Sequence, residues 1–125
     1  AQQRAAELGS DNRGFGADVA DPASVTAAVD GVVAAFGRID ILVNSAGIVM
    51  LAPAEELSLD AWTKTIAVNL TGTFLVSQAV GQHMIAAGSG AIVNMASQAA
   101  TVALDQHVAY CASKFGVVGV SKVLA

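Results

Sequence analysis

The chain has 125 residues, of which 54% are hydrophobic, 13% are charged and 5% are aromatic, and its formal net charge is −4. One modest domain fits this length, and without a basic cluster we expect no nucleic-acid partner. A single Cys excludes an internal disulfide, no signal peptide is visible, and no apolar run reaches the ~18 residues that span a membrane. These features predict a protein of the reducing cytoplasm without a membrane partner.

The first part of the chain predicts a helix, a weak strand and a second helix. Ala1 to Leu8 is typical of the last turns of a helix that stops at Gly9, and Gly14–Val19 predicts a short strand of weak propensity. Asp21-Pro22 is a helix start, with Asp as the N-cap and Pro at the first helical position. Apolar residues at helical spacing then predict an amphipathic helix up to Gly37: Val25, Ala28, Val29, Val32, Val33 and Phe36.

The rest of the chain alternates strand and helix. Residues 39–43 and 91–96 predict two buried strands, and Ser58 caps a long helix that ends at Gly88 to Gly90. A final helix begins near His107. Such alternation predicts an α/β fold with a parallel sheet and right-handed crossovers. The apolar stripe of the long helix is Trp62, Ile66, Leu70 and Phe74, followed by Met84 and Ile85.

Tyr110 and Lys114 lie four residues apart, so the last helix places them on one face, one turn from each other. An ammonium at that distance stabilises a phenolate, which suits the phenol for passing a proton at neutral pH. Ser97, at the end of the preceding strand, could hold a substrate oxygen in line. The three residues predict an acid–base site for alcohol or carbonyl chemistry. Taken alone the Tyr–Lys pair is weak, because a lone Tyr on a helix is more often a packed aromatic.

Polar or Gly-bearing segments lie at the ends of all three predicted strands. They are Asp18, the run Asn44-Ser45-Ala46-Gly47, and Ser97. Ligands bind outside the carboxyl ends of strands in open parallel sheets, so these segments predict a binding site on one rim. Neither His83 nor His107 has metal-ligand spacing, and we expect no metal site.

At this point the chain resembles the classical short-chain dehydrogenase/reductase family, over nearly its whole length. The resemblance rests on Asp18-Val19, Asn44 to Gly47, Asn69, Ser97 and the Tyr110-to-Lys114 motif, in the family's order and approximate spacing. It implies a Rossmann-like doubly wound parallel sheet, a cofactor that is NAD or NADP, and hydride transfer between nicotinamide and an alcohol or carbonyl carbon. The family's usual second Asn is Ser45 here, which is a mild departure.

The resemblance implies four catalytic roles. Tyr110 is the general acid/base that takes the alcohol proton during oxidation. Lys114 stabilises its phenolate and hydrogen-bonds the nicotinamide ribose. Ser97 positions the substrate oxygen. Asn69 holds a water that relays protons between Lys114 and solvent.

The resemblance also implies the cofactor contacts. Asp18 accepts a hydrogen bond from the adenine amino group, with the backbone of Val19 beside it, and Asn44, Ala46 and Gly47 let the backbone approach the cofactor ribose. The family's Gly-rich phosphate loop is absent from these residues, and so is the residue that selects NAD over NADP. Between the two cofactors, NAD is slightly favoured. We therefore expect residues 1–125 to be the central part of a single NAD(P)-binding domain, supplying strands 3, 4 and 5 without the N-terminal phosphate loop or the C-terminal substrate region.

The loop before the last helix is similar to that of family members acting on small polyols of the D-threitol type. Gln98 and His107, with Asp105 between them in sequence, could offer the hydrogen bonds that several hydroxyls need. A 3-oxoacyl-[acyl-carrier-protein] reductase is an alternative, since the same motifs serve that reaction. From another class, a non-catalytic dinucleotide-binding or assembly module is also open, although such a module would not require Asn69, Ser97, Tyr110 and Lys114 together.

The small residues of the last helix, Ala112, Gly116 and Gly119, allow another helix to approach closely. In the family, this helix and the long one before it pack against a partner subunit. The resemblance thus implies a homodimer or homotetramer formed through the helices at 59–86 and 108–125. Close packing within one subunit is the alternative, and both can hold.

Overall fold

The computed structural model describes all 125 residues and contains five α-helices and two β-strands. No helix is both long and apolar enough to cross a bilayer. In chain order the elements are α1 (Gln2–Glu7), α2 (Pro22–Phe36), β1 (Ile41–Asn44), α3 (Leu59–Ile66), a π-helical turn (Ala67–Thr71), α4 (Gly72–Ala87), β2 (Ala91–Asn94), a 3₁₀ turn (Gln98–Ala100) and α5 (Val108–Leu124).

The two strands pair in parallel, with Ile41 opposite Ala91 and Asn44 opposite Asn94. Both strands were predicted; the observed β1 starts two residues later and ends one residue later than predicted, and β2 ends two residues earlier. Their side chains alternate between a covered and an exposed face. On the covered face, Leu42 and Ile92 pack on the core formed by α2 and α4. The sheet is therefore covered by helices on one side only, which is half of a doubly wound arrangement.

The strand predicted at Gly14–Val19 is wrong, because these residues form no strand. The sheet consists of β1 and β2 alone, and residues 14–19 pair with neither of them. Two glycines in six residues add little strand propensity of their own. The segment is instead held by local bonds, in which the Asp18 N–H donates to Ser24 Oγ and the Asp21 N–H to the Asp18 carbonyl.

Helix α2 begins and ends where its capping signals predicted. Asp21 accepts hydrogen bonds from the backbone N–H groups of the next turn, and Gly37 ends the helix with a left-handed φ of 78°. Val25 and Val29 then form the hydrophobic core together with Val80 and Met84 of α4. This contact packs α2 against α4.

The long helix predicted from Ser58 onward is confirmed as α3, the π-helical turn and α4, without a break. Its buried face differs from its apolar stripe, since Trp62 and Phe74 are exposed. The face that packs inward carries small polar side chains at four-residue spacing: Thr65, Asn69, Thr73 and Ser77. Helix α5 packs against α3 and the π-helical turn, and a hydrogen bond between Asn69 and Ser113 joins the two sides of this contact.

Candidate active site

Helix α5 places Tyr110 and Lys114 side by side, as their spacing predicted. The Lys114 Nζ lies 5.7 Å from the centroid of the Tyr110 ring. Lys114 is only 6% exposed, and its Nζ donates a 2.6 Å hydrogen bond to the carbonyl of Met95. Because Met95 directly follows β2, this bond connects the buried ammonium to a strand end and leaves two of its three N–H donors for other partners.

Tyr110, Lys114 and Ser97 line one open cleft of about 600 Å³. The cleft lies beyond the carboxyl ends of β1 and β2, where parallel sheets bind ligands. Its only titratable side chains are Tyr110, Lys114 and His107. The other lining residues are Ser45, Gly47, Ile48, Val49, Met95, Ala96, Gln98 and Leu104.

Ser97 is half-buried at the start of the 3₁₀ turn, where its Oγ accepts a 3.1 Å hydrogen bond from the backbone N–H of Ala99. This bond occupies an acceptor position of the hydroxyl and leaves its O–H free to donate. The geometry thus presents a fixed hydroxyl donor to the cleft that also contains the Tyr110 phenol.

Asn69 lies fully buried in the π-helical turn, a feature often found at functional sites. Its Nδ2 donates to the Ile48 carbonyl at 2.8 Å and to Ser113 Oγ at 3.1 Å, while its Oδ1 accepts from the Ile48 N–H at 2.8 Å. Both amide hydrogens therefore have protein partners. The side chain connects the loop after β1 with α5.

Gly47 lies where this network meets the cleft. A Cβ at this position would be 3.4 Å from Asn69 Oδ1 and 3.9 Å from Lys114 Nζ. Glycine therefore keeps open the space beside the buried ammonium, and its backbone is exposed to the cleft. Ser45 lines the same wall, whereas Ala46 does not.

Asn44 points into the interior instead of the cleft. Its Nδ2 donates to Ser77 Oγ at 2.9 Å and to Asn94 Oδ1 at 2.8 Å, and Asn94 in turn donates to Ser121 Oγ at 3.0 Å. This chain of bonds connects α4, both strands and α5 below the cleft. The side chain of Asn44 thus supports the strand ends.

Asp18 and Val19 do not line the cleft. Asp18 is exposed, and its Oδ1 accepts from the Ala20 N–H at 2.9 Å, so its carboxylate keeps further acceptor capacity. Val19 packs on the first residue of α4, because a Cβ on Gly72 would be only 2.8 Å from Val19 Cγ2. The pair therefore lies beside the helix that carries Asn69.

His107 lies at the N-terminus of α5, with its ring centroid 6.0 Å from that of Tyr110 in an edge-on arrangement. Its Nδ1 lies 2.5 Å from the Asp105 carbonyl, so this nitrogen carries the hydrogen and Nε2 is the acceptor in the neutral ring. The preceding Gln106 has a φ of 59°, rare for a residue with a side chain, and its carbonyl accepts from the Ala52 N–H. Gln98 is exposed and also lines the cleft.

Sequence reasoning identified Asn69 and Lys114 but missed the groups that bind them. These are the backbone of Ile48, the carbonyl of Met95 and the hydroxyl of Ser113. Backbone partners leave no signal in a sequence. Ser113 left a weak one, because it is a small polar residue between the Tyr and the Lys of the motif.

A buried ammonium beside a phenol lines one cleft with a serine at the carboxyl rim of a parallel sheet, which is the arrangement that an acid–base site on an α/β domain requires. The family model for short chain dehydrogenases matches residues 1–125. The chain belongs to the short-chain dehydrogenase family.

Relatives and solved structures agree with this assignment. The chain is 73% identical over its full length to D-threitol dehydrogenase of Mycolicibacterium smegmatis and 56% identical over 72% of its length to NAD-dependent glycerol dehydrogenase of Listeria innocua. It is similar in structure, over its full length, to sorbitol-6-phosphate 2-dehydrogenase SrlD of Erwinia amylovora, with a TM-score of 0.94 and 36% identity, covering 51% of that chain. The chain spans 49% and 35% of the two curated relatives, or half their length at most.

Proposed function

We propose that the protein carrying these residues is an NAD(P)-dependent oxidoreductase that transfers a hydride between the nicotinamide and a secondary alcohol or ketone, with a small polyol as substrate. One observation carries the proposal: the Tyr110 phenol, the buried Lys114 ammonium and the Ser97 hydroxyl line one cleft. The 73% identity to a D-threitol dehydrogenase supports the choice of a polyol.

The residues present fit a dinucleotide at this rim. Gly47 leaves open the space that a side chain would fill beside Lys114, so a ribose can approach the backbone there. Lys114 keeps two N–H donors for ribose hydroxyls, and Asp18 keeps acceptor capacity for an adenine amino group. Asn44 and Ala46 contribute through their backbone. A bound nicotinamide would supply the hydride acceptor for alcohol oxidation.

Side chains of this chain carry out the proton transfer. During oxidation the Tyr110 phenolate takes the proton of the substrate hydroxyl, and the nearby ammonium of Lys114 stabilises that phenolate. Ser97 donates its free O–H to the same substrate oxygen and holds it toward the phenol. Asn69 keeps the loop after β1 in place. Both of its amide hydrogens already have protein partners, so a relay water at this position would bind to the acceptor capacity that Asn69 has left.

Recognition of a polyol requires further polar groups around the reacting carbon. In the neutral ring of His107 the Nε2 is an acceptor, and this ring lies beside Tyr110 at the wall of the cleft. Gln98 lies on the wall that carries Ser97 and can both donate and accept. We assign both residues to the hydroxyl groups next to the one that is oxidised.

NAD is the proposed cofactor. The support is the relative from Listeria innocua, 56% identical in the shared region, whose name is NAD-dependent glycerol dehydrogenase. Comparing the whole protein's kcat/KM with NAD⁺ and NADP⁺ tests this preference.

A homodimer or homotetramer, formed through the helices at 59–86 and 108–125, is also part of the proposal. Support comes from apolar side chains that these helices leave exposed: Leu59, Phe74, Ile85, Phe115 and Val123. Burial of such residues in a subunit contact would remove apolar area from water. The oligomeric state of the whole protein by light scattering tests this part.

We further propose a cytoplasmic location. Cys111 is a free thiol, and a reducing compartment preserves free thiols. Cell fractionation of the native host tests this part.

The experiment assays the whole protein with NAD⁺ or NADP⁺ and a panel of polyols, beside Tyr110→Phe. We expect reduction of the cofactor with small polyols, and a loss of at least about a thousandfold in Tyr110→Phe, because the proton acceptor is removed. Cofactor binding, followed by fluorescence titration, should survive the substitution. Preference for an acyl thioester with NADPH would instead select the carrier-protein reductase, and binding without turnover would select the non-catalytic module.

A further inference from the structure

Ser113 is fully buried between the two predicted catalytic residues of α5 and makes two hydrogen bonds. Its Oγ accepts from Asn69 Nδ2 at 3.1 Å and donates to the Tyr110 carbonyl at 2.7 Å. The acceptor bond crosses from α5 to the π-helical turn, and the donor bond holds the first turn of α5. One hydroxyl thus contacts both the catalytic helix and the helix that faces it.

The contact reaches the cleft through Asn69. The other bonds of Asn69 hold both backbone groups of Ile48, whose neighbour Gly47 lies beside the Lys114 ammonium. Ser113 therefore belongs to a set of contacts that runs from the Tyr110 carbonyl through Asn69 to the loop after β1, and this loop passes beside the Lys114 ammonium.

We propose that Ser113 is a positioning residue: its hydroxyl, held between Asn69 and the Tyr110 carbonyl, sets the position of the Tyr110–Lys114 turn relative to the strand-end loop. This inference rests on the proposed oxidoreductase function, because it concerns the placement of that function's proton acceptor. Ser113 contacts neither substrate nor cofactor, since it does not line the cleft.

The chain supplies a matched control in Ser121, two turns further along α5. Its Oγ accepts from Asn94 Nδ2 at 3.0 Å and donates to the Val117 carbonyl at 2.7 Å, which is nearly the same chemistry. Asn94 faces the interior below the cleft, and Ser121 does not line the cleft. Removal of either hydroxyl therefore leaves one Asn amide hydrogen without its partner, but only one of the two lies next to the site.

The test compares Ser113→Ala, Ser113→Cys and Ser121→Ala in the whole protein with its cofactor and best polyol. We expect kcat to fall about tenfold in both Ser113 variants while KM changes less than about twofold, since transition-state placement is lost and ground-state binding is kept. Cys fills the same space with a weaker acceptor, so it separates the hydrogen bond from the packing. Ser121→Ala should keep kcat within about twofold and lower Tm by a similar amount to Ser113→Ala.

The solvent deuterium isotope effect on kcat gives a readout that a purely structural role would not move, because it does not depend on the amount of folded enzyme. We expect this isotope effect to rise in both Ser113 variants, since a misplaced phenol makes proton transfer more rate-limiting. Ser121→Ala should leave the isotope effect unchanged.

Wild-type kcat and solvent isotope effect in Ser113→Cys, or equal losses of kcat in Ser113→Ala and Ser121→Ala, would overturn the role of Ser113. The absence of any NAD(P)-dependent turnover in the wild-type protein would instead overturn the proposed function itself. If Ser113→Ala fails to fold, the kinetics of Ser113→Cys alone test the role of Ser113, because the volume of the Cys side chain matches the buried space.

Discussion

Helix α5 carries the dipeptide Ser-Lys twice, at 113–114 and at 121–122, and the structure uses the two copies differently. In both, the serine accepts a hydrogen bond from an Asn side chain and donates to a carbonyl three or four residues earlier. The first lysine is buried and bonded to the Met95 carbonyl, whereas Lys122 is exposed in the last turn. The two dipeptides are the same, so the difference in the burial of their lysines comes from the elements that pack against α5 at each position along its axis.

At the first copy, α5 meets the π-helical turn and the loop after β1, which bring Asn69 and Gly47 to the Ser-Lys pair. At the second copy it meets β2, which brings only Asn94. The proposed site therefore lies where the π-helical turn, the loop after β1 and α5 converge, and a structural contact lies where α5 meets the sheet alone.

The largest expected effect separates the two lysines. Lys114→Met should lower kcat/KM of the whole protein by at least about a hundredfold, because it removes the cation that stabilises the phenolate and a donor to the ribose. Lys122→Met should stay within about twofold, as an exposed charge at a helix end contributes little. Steady-state kinetics of both variants under one condition measures the ratio. Equal losses in the two would contradict the assignment of Lys114 to the site.

Local signals explain why part of this fold and site could be predicted from the sequence. Asp21, Ser58 and Gly37 act through neighbouring backbone groups, so their roles as helix caps could be predicted without knowing the fold. The shared face of Tyr110 and Lys114 follows from helical spacing in the same way.

Contacts between distant segments explain what could not be predicted. Asn69 and Ser113 are 44 residues apart, and their bond exists only because α5 packs on the π-helical turn. The strand predicted at Gly14–Val19 failed for a related reason, since a strand requires a neighbour and β1 pairs only with β2. The polar inner face of the long helix was missed because apolar periodicity indicates a stripe and does not tell which neighbour covers it.

An effect of intermediate size is expected at Gly47, which lies beside Lys114 of the first Ser-Lys dipeptide and lines the cleft. Gly47→Val should weaken cofactor binding by at least about tenfold, because its side chain starts 3.9 Å from Lys114 Nζ and its methyl groups extend into the cleft. Gly47→Ala adds only a Cβ at ordinary contact distance and should lose less. Fluorescence titration with the cofactor measures both. Unchanged affinity in Gly47→Val would show that the cofactor does not approach this backbone.

The smallest effect is expected at Gly116, which lies between the two copies and against the π-helical turn. A Cβ at this position would be 2.7 Å from Leu70 Cδ2, so Leu70 must shift its terminal methyl groups. Because only the end of a flexible side chain must move, that overpacking costs about 1 kcal/mol, the low end for such changes, and the better helix propensity of Ala offsets up to about 1 kcal/mol of it. Gly116→Ala should therefore change the free energy of unfolding by no more than about 1 kcal/mol and leave kcat within about twofold, as measured by urea denaturation and kinetics of the whole protein. A large loss of kcat without a loss of stability would instead mean that the spacing between α5 and the π-helical turn is set along their whole contact and not at Ser113 alone. Gly116 can show this because it contacts Leu70, the residue next to Asn69, and does not line the cleft.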